Sequence, residues 1–252
     1  MIPFQKTELT FGRIPGIILI LKVYSKSIVE RGKTVGWNRK EENKTKWWLL
    51  VAAQILIIGF TVWSVGYMFL FSGSGNMAVR RYTIFRYFTV DSNILCAVSS
   101  ACLLVQALRG RWAGSKGVML FRYVGTAAVT VTLMTVLLFL GPVYGYAHMF
   151  SRWNLWLHLA GPLLAILSFL WLERDGAFPE KKHLILSLLP VIVYGAVYFV
   201  MAVVIGEGKG WPDFYGFNRG GTWYISYAAM TAGTALIGFV LGKLRSIGCG
   251  KE

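Results

Sequence analysis

Six stretches of this chain, at about 47–71, 82–108, 119–141, 153–172, 183–206 and 222–242, each run for about twenty or more mostly apolar residues. That is the length a helix needs to cross a hydrocarbon layer roughly 30 Å thick. With 56% of its residues apolar, the chain has too little polar surface for a soluble domain with one ordinary core. The expected fold is all-α, a polytopic integral membrane protein built as a six-helix transmembrane bundle. The "IPGIILILKVY" segment, broken by Pro15 and Lys22, is too short for a seventh span and is read as an interfacial or docking segment within a basic N-terminal arm, residues 1–46. No basic start followed by an apolar run and a small-residue cleavage site is present, so the first span is expected to serve as the insertion signal.

Charge placement predicts orientation, because short cytoplasmic loops retain lysine and arginine. The first 46 residues carry ten such side chains, and Arg109, Arg111, Lys116, Arg174, Lys181, Lys182, Lys243, Arg245 and Lys251 fall on the same side of the six-span layout. The opposite loops hold only Arg80, Arg81, Arg152, Lys209 and Arg219. Both termini are therefore expected in the cytoplasm, with the bundle in the cell membrane and a short cytoplasmic tail at 243–252. The formal charge of +15 follows topology and comes with no nucleic-acid-binding motif. An anionic leaflet is the expected partner of the basic arm, and no nucleic acid is expected. Cys96, Cys102 and Cys249 show neither metal spacing nor a disulfide framework, and no cofactor is expected.

The second span opens with "RYFTVDSN", an unusually polar start. Arg86, Thr89, Asn93, Cys96 and Ser100 recur at intervals of three or four and share one helix face. That stripe should face the bundle interior, whether for packing through interhelical hydrogen bonds or for function. Asp91 points elsewhere, toward another helix or the headgroups. In the fourth span, "RWNLWLHLAGPLL" places Asn154 one turn before His158 and Pro162 one turn after it. A proline inside a helix frees the carbonyl four residues earlier, here that of His158. His148 lies in a loop on the same side, and His183 on the opposite one.

Thr89 and His158 fall at similar depth. A threonine hydroxyl becomes a nucleophile when a base takes its proton, and neutral histidine suits that task near pH 7. A donor such as Asn93 or Arg86 would then stabilise the oxyanion of an attacked carbonyl. These residues make ester cleavage chemically feasible near headgroup depth, where an acyl chain can lie between helices.

The "RYFTVDSN" element opening span two and the "LHLAGP" element in span four, set in a six-span layout over 47–242, resemble the androgen-induced (FAR-17a-like) six-span membrane proteins and the related bacterial Pr6Pr-type integral membrane proteins. That resemblance implies an intramembrane hydrolase of fatty acid esters, with Thr89 as nucleophile, His158 as its base, and membrane lipids and a lipid ester as partners. The basic arm and the "WPDFYGFNRGG" loop have no counterpart in it.

Other readings stay open. In a lipid-binding or scaffold protein the stripe only packs helices and the outer loop contacts a partner; taken alone, the glycine-rich loop at 206–221 reads as an aromatic belt or a lid. A small-solute transporter would need a polar path continuing through Thr126, Thr130 and Arg122, although intramembrane threonines commonly bond to their own helix backbone. A metal hydrolase would need His148, His158 and Asp91 to converge without any recognisable ligand spacing.

Overall fold

The computed structural model describes residues 39–71, 81–111, 114–173 and 181–249. Two compact units divide the chain, Met1–Thr45 and Lys46–Glu252. Of the first, only the opening turns of α1 are described, so the basic arm and its apolar segment lie outside the described residues.

All regular structure among the described residues is helical: α1 (Arg39–Phe71), α2 (Phe88–Leu108), α3 (Lys116–Thr135), α4 (Gly141–Tyr144), α5 (Tyr146–Met149), α6 (Gly161–Leu167), α7 (Lys181–Tyr198) and α8 (Trp223–Cys249). Wider π turns at Val136–Leu140, Trp156–Ala160, Ser168–Leu172 and Phe199–Val204 extend α3, α6 and α7. Five helices are long and apolar enough to cross a membrane, and Trp156–Leu172 is a shorter apolar one. The chain is thus an all-α polytopic membrane bundle. One boundary differs from the sequence reading. Arg81–Arg86 forms a 3-10 turn ahead of α2, so the second span begins at Phe88. The fourth apolar helix starts at Asn154, whose N–H bonds to Ser151 O at 3.0 Å, within a residue of the expected start.

The bundle is centred on α3. Met119, Arg122, Tyr123 and nearly every residue from Gly125 to Leu133 are buried. Small side chains make this possible. A Cβ on Gly125 would lie 2.7 Å from Ser99 Oγ and 3.1 Å from Cys96 Cα, so the α2 and α3 backbones approach as closely as glycine allows. The Tyr123 hydroxyl donates to Gly238 O at 2.8 Å, which ties α3 to α8. The opposite faces of α1 and α7 leave Trp63, Leu70, Ile185 and Val193 exposed, as expected where lipid is the solvent.

Two of the π turns share one local cause. Each precedes a Gly-Pro pair, Gly141–Pro142 or Gly161–Pro162. Gly141 N–H reaches Val136 O and Gly161 N–H reaches Trp156 O, five residues back in both cases. In that register the next donor would serve Leu137 O or Leu157 O, but that donor is a proline and has no N–H. Glycine is needed at the first position of the pair. A Cβ on Gly161 would press to 2.7 Å from Trp156 O. The wide turn therefore moves the orphaned carbonyl from His158, where α-helical counting puts it, to Leu157.

Candidate functional site

In hydrocarbon an orphan carbonyl must find another donor. Asn93, one turn into α2, supplies it: its Nδ2 donates to Leu157 O at 3.0 Å and to Thr89 O at 2.7 Å. The same side chain rests against Gly161, whose added Cβ would sit 3.5 Å from Asn93 Oδ1. One buried amide thus joins the threonine element of α2 to the histidine element of the fourth apolar helix.

His158 is buried beside this junction. Its Nδ1 lies 2.7 Å from Met149 O. A carbonyl only accepts, so in the neutral ring Nδ1 carries the proton and Nε2 carries the lone pair. Among the described residues, no hydrogen bond links Thr89 to His158. Thr89 is half-buried, and its backbone carbonyl accepts from Ser92 Oγ at 3.2 Å and from Asn93 Nδ2 at 2.7 Å. Arg86 is held by its backbone, its carbonyl accepting from Tyr194 Oη at 2.6 Å. Asn154 is half-buried in the first helical residues leading to His158.

Tyr215 is a site residue that sequence reasoning missed. It arrives from the 206–221 loop, which is folded down rather than splayed. Trp211 N–H donates to Met201 O at 2.9 Å, and a Cβ on Gly210 would collide with that same carbonyl. Asp213 then latches the turn. Its carboxylate accepts from Tyr198 Oη at 2.9 Å and from the N–H groups of Phe217 and Asn218, each at 2.8 Å. The Tyr198 ring packs against those of Trp211, Phe214, Tyr215 and Phe217. So held, the Tyr215 hydroxyl accepts from Phe88 N–H at 3.2 Å. It fills the role of a cap at the α2 N-terminus, where the Tyr87 side chain does not cap the helix and the first N–H groups have no helical partner. Burial pushes the Tyr215 phenol up to about 12, so it keeps its proton through the physiological range. The signal available in the sequence was the Asp213 turn "WPDFYGF", an acceptor two residues before a tyrosine.

The stripe on α2 continues inward to a second constellation. Asn93, Cys96 and Ser100 are all buried, and Ser100 Oγ accepts from Arg122 Nη1 at 2.8 Å. Arg122 is paired with Glu173, Nη2 to Oε1 at 2.7 Å, with both side chains fully buried. Ser168 Oγ donates to Glu173 Oε1 at 3.0 Å and accepts from Gln54 Nε2 at 2.8 Å, while Arg245 Nη2 donates to Glu173 O at 3.0 Å. Side chains or backbone from α1, α2, α3, α8 and the end of the Trp156–Leu172 segment meet at one ion pair. Thr130, which a transport path would use, donates to its own helix at Thr126 O, 2.7 Å away.

A cleft of about 300 Å³ opens on another face of α2, between it and α7. Phe88, Asp91, Ser92 and Leu95 line it from α2 and Pro190, Val193, Tyr194 and Val197 from α7, together with Phe85 and Trp211. Thr89 and His158 are not among its lining residues. Among the described residues no group of three His, Cys, Asp or Glu side chains is placed to hold a metal ion. Comparison with family models, curated proteins and solved structures finds no match to this chain.

Proposed function

We propose that this chain is an intramembrane hydrolase of a lipid ester, of the kind its two short elements resemble, with Thr89 as nucleophile and His158 as base. The observation that carries the reading is the Asn93 amide, which bonds to the Thr89 and Leu157 carbonyls together and so sets the two elements side by side. The chemistry follows from the anchored groups. Thr89 Oγ1 adds to the ester carbonyl carbon while its proton passes to His158 Nε2, and Tyr215 O–H donates to the oxyanion. The intermediate collapses with cleavage of the ester C–O bond, the imidazolium returns its proton to the departing alkoxide, and water then repeats the sequence on the acyl-threonine. Hydrogen bonds of this kind commonly close only when substrate is bound. Asn93 and Asn154 orient the site, and Arg86 binds the polar head of the substrate. The layout belonging to this reading has six spans, with Trp156–Leu172 as the fourth, both termini in the cytoplasm, and the basic arm on an anionic leaflet.

The test is labelling by a lipid-like fluorophosphonate of the purified protein and of its Thr89→Ser, Thr89→Val and His158→Ala variants. Label on the Thr89 peptide, kept in part by Thr89→Ser and lost in the other two, supports the hydrolase. A folded wild-type protein left unlabelled by probes of several chain lengths removes it.

The apolar cleft between α2 and α7 favours a second reading, a lipid-binding membrane protein without chemistry. In that case Thr89→Ser and Thr89→Val behave alike in every lipid assay.

A further inference from the structure

The cleft between α2 and α7 holds one charged group. Asp91 is half-buried in the first turn of α2, where the helix dipole favours a negative charge. No hydrogen bond or ion pair reaches its carboxylate among the described residues. Two other carboxylates that are buried or half-buried are satisfied: Glu173 by Arg122, and Asp213 by three donors. Ser92, the nearest polar neighbour in the cleft, is already engaged by Thr89 O at 3.2 Å and Thr132 Oγ1 at 2.8 Å. No lysine or arginine lines the walls.

Four aromatic residues, Phe85, Phe88, Tyr194 and Trp211, line the same cleft as this carboxylate. Their placement is fixed from several directions. Phe88 and Tyr194 pack ring to ring, with centroids 5.1 Å apart, the Tyr194 hydroxyl is tied to Arg86 O, and Trp211 is anchored through Met201 O. Aromatic faces attract a cation through their quadrupole, and a carboxylate among apolar walls is costly without a countercharge. The two demands agree on one ligand chemistry. An anion such as a fatty acid meets repulsion at Asp91, and a neutral chain leaves the carboxylate unpaired.

We infer that this cleft binds an amphiphile with an ammonium head, the head between Asp91 and the aromatic rings and its chain along the apolar wall. The volume lies at the small end of ligand pockets, so only the head and the first methylenes are enclosed. The rest of the chain runs over Val193 and Val197, which are 54% and 46% exposed. This site is separate from the proposed hydrolase centre. Phe88, Asp91, Ser92 and Leu95 form a face of α2 turned roughly 100° from the Thr89, Asn93 and Cys96 stripe.

Calorimetric titration of the full chain in a maltoside detergent tests the assignment, using hexylammonium, hexyltrimethylammonium, hexanol and hexanoate as probes. The cationic probes are expected to bind at least tenfold more tightly than hexanol, with hexanoate weakest. Asp91→Asn should reduce the cationic probes to the level of hexanol, and Val193→Trp, which fills the cleft and keeps Asp91, should weaken all of them. Thr89→Val should change none, which separates this site from the hydrolase. Equal affinity for hexanol and hexylammonium overturns the inference, as does an Asp91→Asn protein that binds the cations like wild type. Nanodiscs of phosphatidylglycerol, with or without phosphatidylethanolamine, identify the source. Weaker hexylammonium binding with the second lipid marks a lipid headgroup as the occupant, and unchanged binding marks a free amine.

Discussion

The two Gly-Pro turns use the same local device and differ in what completes it. At Gly141–Pro142 the orphaned carbonyl of Leu137 is capped by Tyr146 Oη at 2.7 Å, a neighbour nine residues along the chain and exposed to the surroundings. At Gly161–Pro162 the orphaned carbonyl of Leu157 is capped by Asn93, 64 residues away and buried. A local cap only finishes a helix. A cap drawn from another helix converts the same defect into a joint, here between the two elements that carry the candidate chemistry. Proline within a membrane helix thus becomes a means of fixing the position of a second helix, provided the freed carbonyl has a single possible donor.

Asn93→Ala tests that joint most severely. It leaves Leu157 O buried without a donor, a defect that costs about 1–3 kcal/mol. Thermal unfolding in detergent should show it, together with loss of any Thr89 labelling, since His158 is adjacent to the released carbonyl. A variant as stable as wild type would mean that water or a shifted helix supplies the missing donor, and the joint would lose its significance.

The complementary experiment restores the N–H that proline lacks. Pro162→Ala places a donor opposite Leu157 O in the existing register, so it should recover about 1 kcal/mol in the Asn93→Ala background, the usual net value of one hydrogen bond. In the wild-type background the same substitution makes the new N–H compete with Asn93 and should bring little gain. Equal effects in both backgrounds would show that proline and asparagine act independently.

Both the polar stripe on α2 and the proline in the fourth apolar helix were legible in the sequence, because each depends on local periodicity or on one residue's missing donor. The interior face of Asn93, Cys96 and Ser100 followed from spacing alone. What those residues bond to did not. Arg122 and Glu173 are 51 residues apart on different helices, and nothing in the order of residues pairs them. The freed carbonyl was misplaced by one residue for a related reason. Counting in α-helical steps cannot anticipate a π turn, although the repeated Gly-Pro pair was a usable sign of one. Tyr215 was hidden by distance as well, since it caps a helix 127 residues away.

The α2 side of the joint can be probed by alkali. A phenol raised from 10.0 to about 12 in the fold holds its proton while the unfolded chain has begun to lose its own. Its contribution is complete below pH 10, declines as pH rises, and is gone above about 12. Tyr215→Phe should therefore flatten part of the stability loss between pH 10 and 12, and should cost about 1 kcal/mol at pH 8 through the lost cap on Phe88. Parallel melting curves at pH 8 and pH 11 check it. An unchanged alkaline slope would place Tyr215 in water, with the loop folded differently.

Tyr146→Phe is the smallest change and the control that gives the comparison its meaning. It also orphans a carbonyl behind a Gly-Pro pair, but Tyr146 is 45% exposed, so water or a lipid headgroup can replace its hydroxyl at little cost. The expected loss is a few tenths of a kcal/mol, with labelling at Thr89 untouched. If instead Tyr146→Phe matched Asn93→Ala in unfolding, the energy would reside in the π turn itself and not in its partner. The difference between a local cap and a joint between helices would then be one of position in the chain alone.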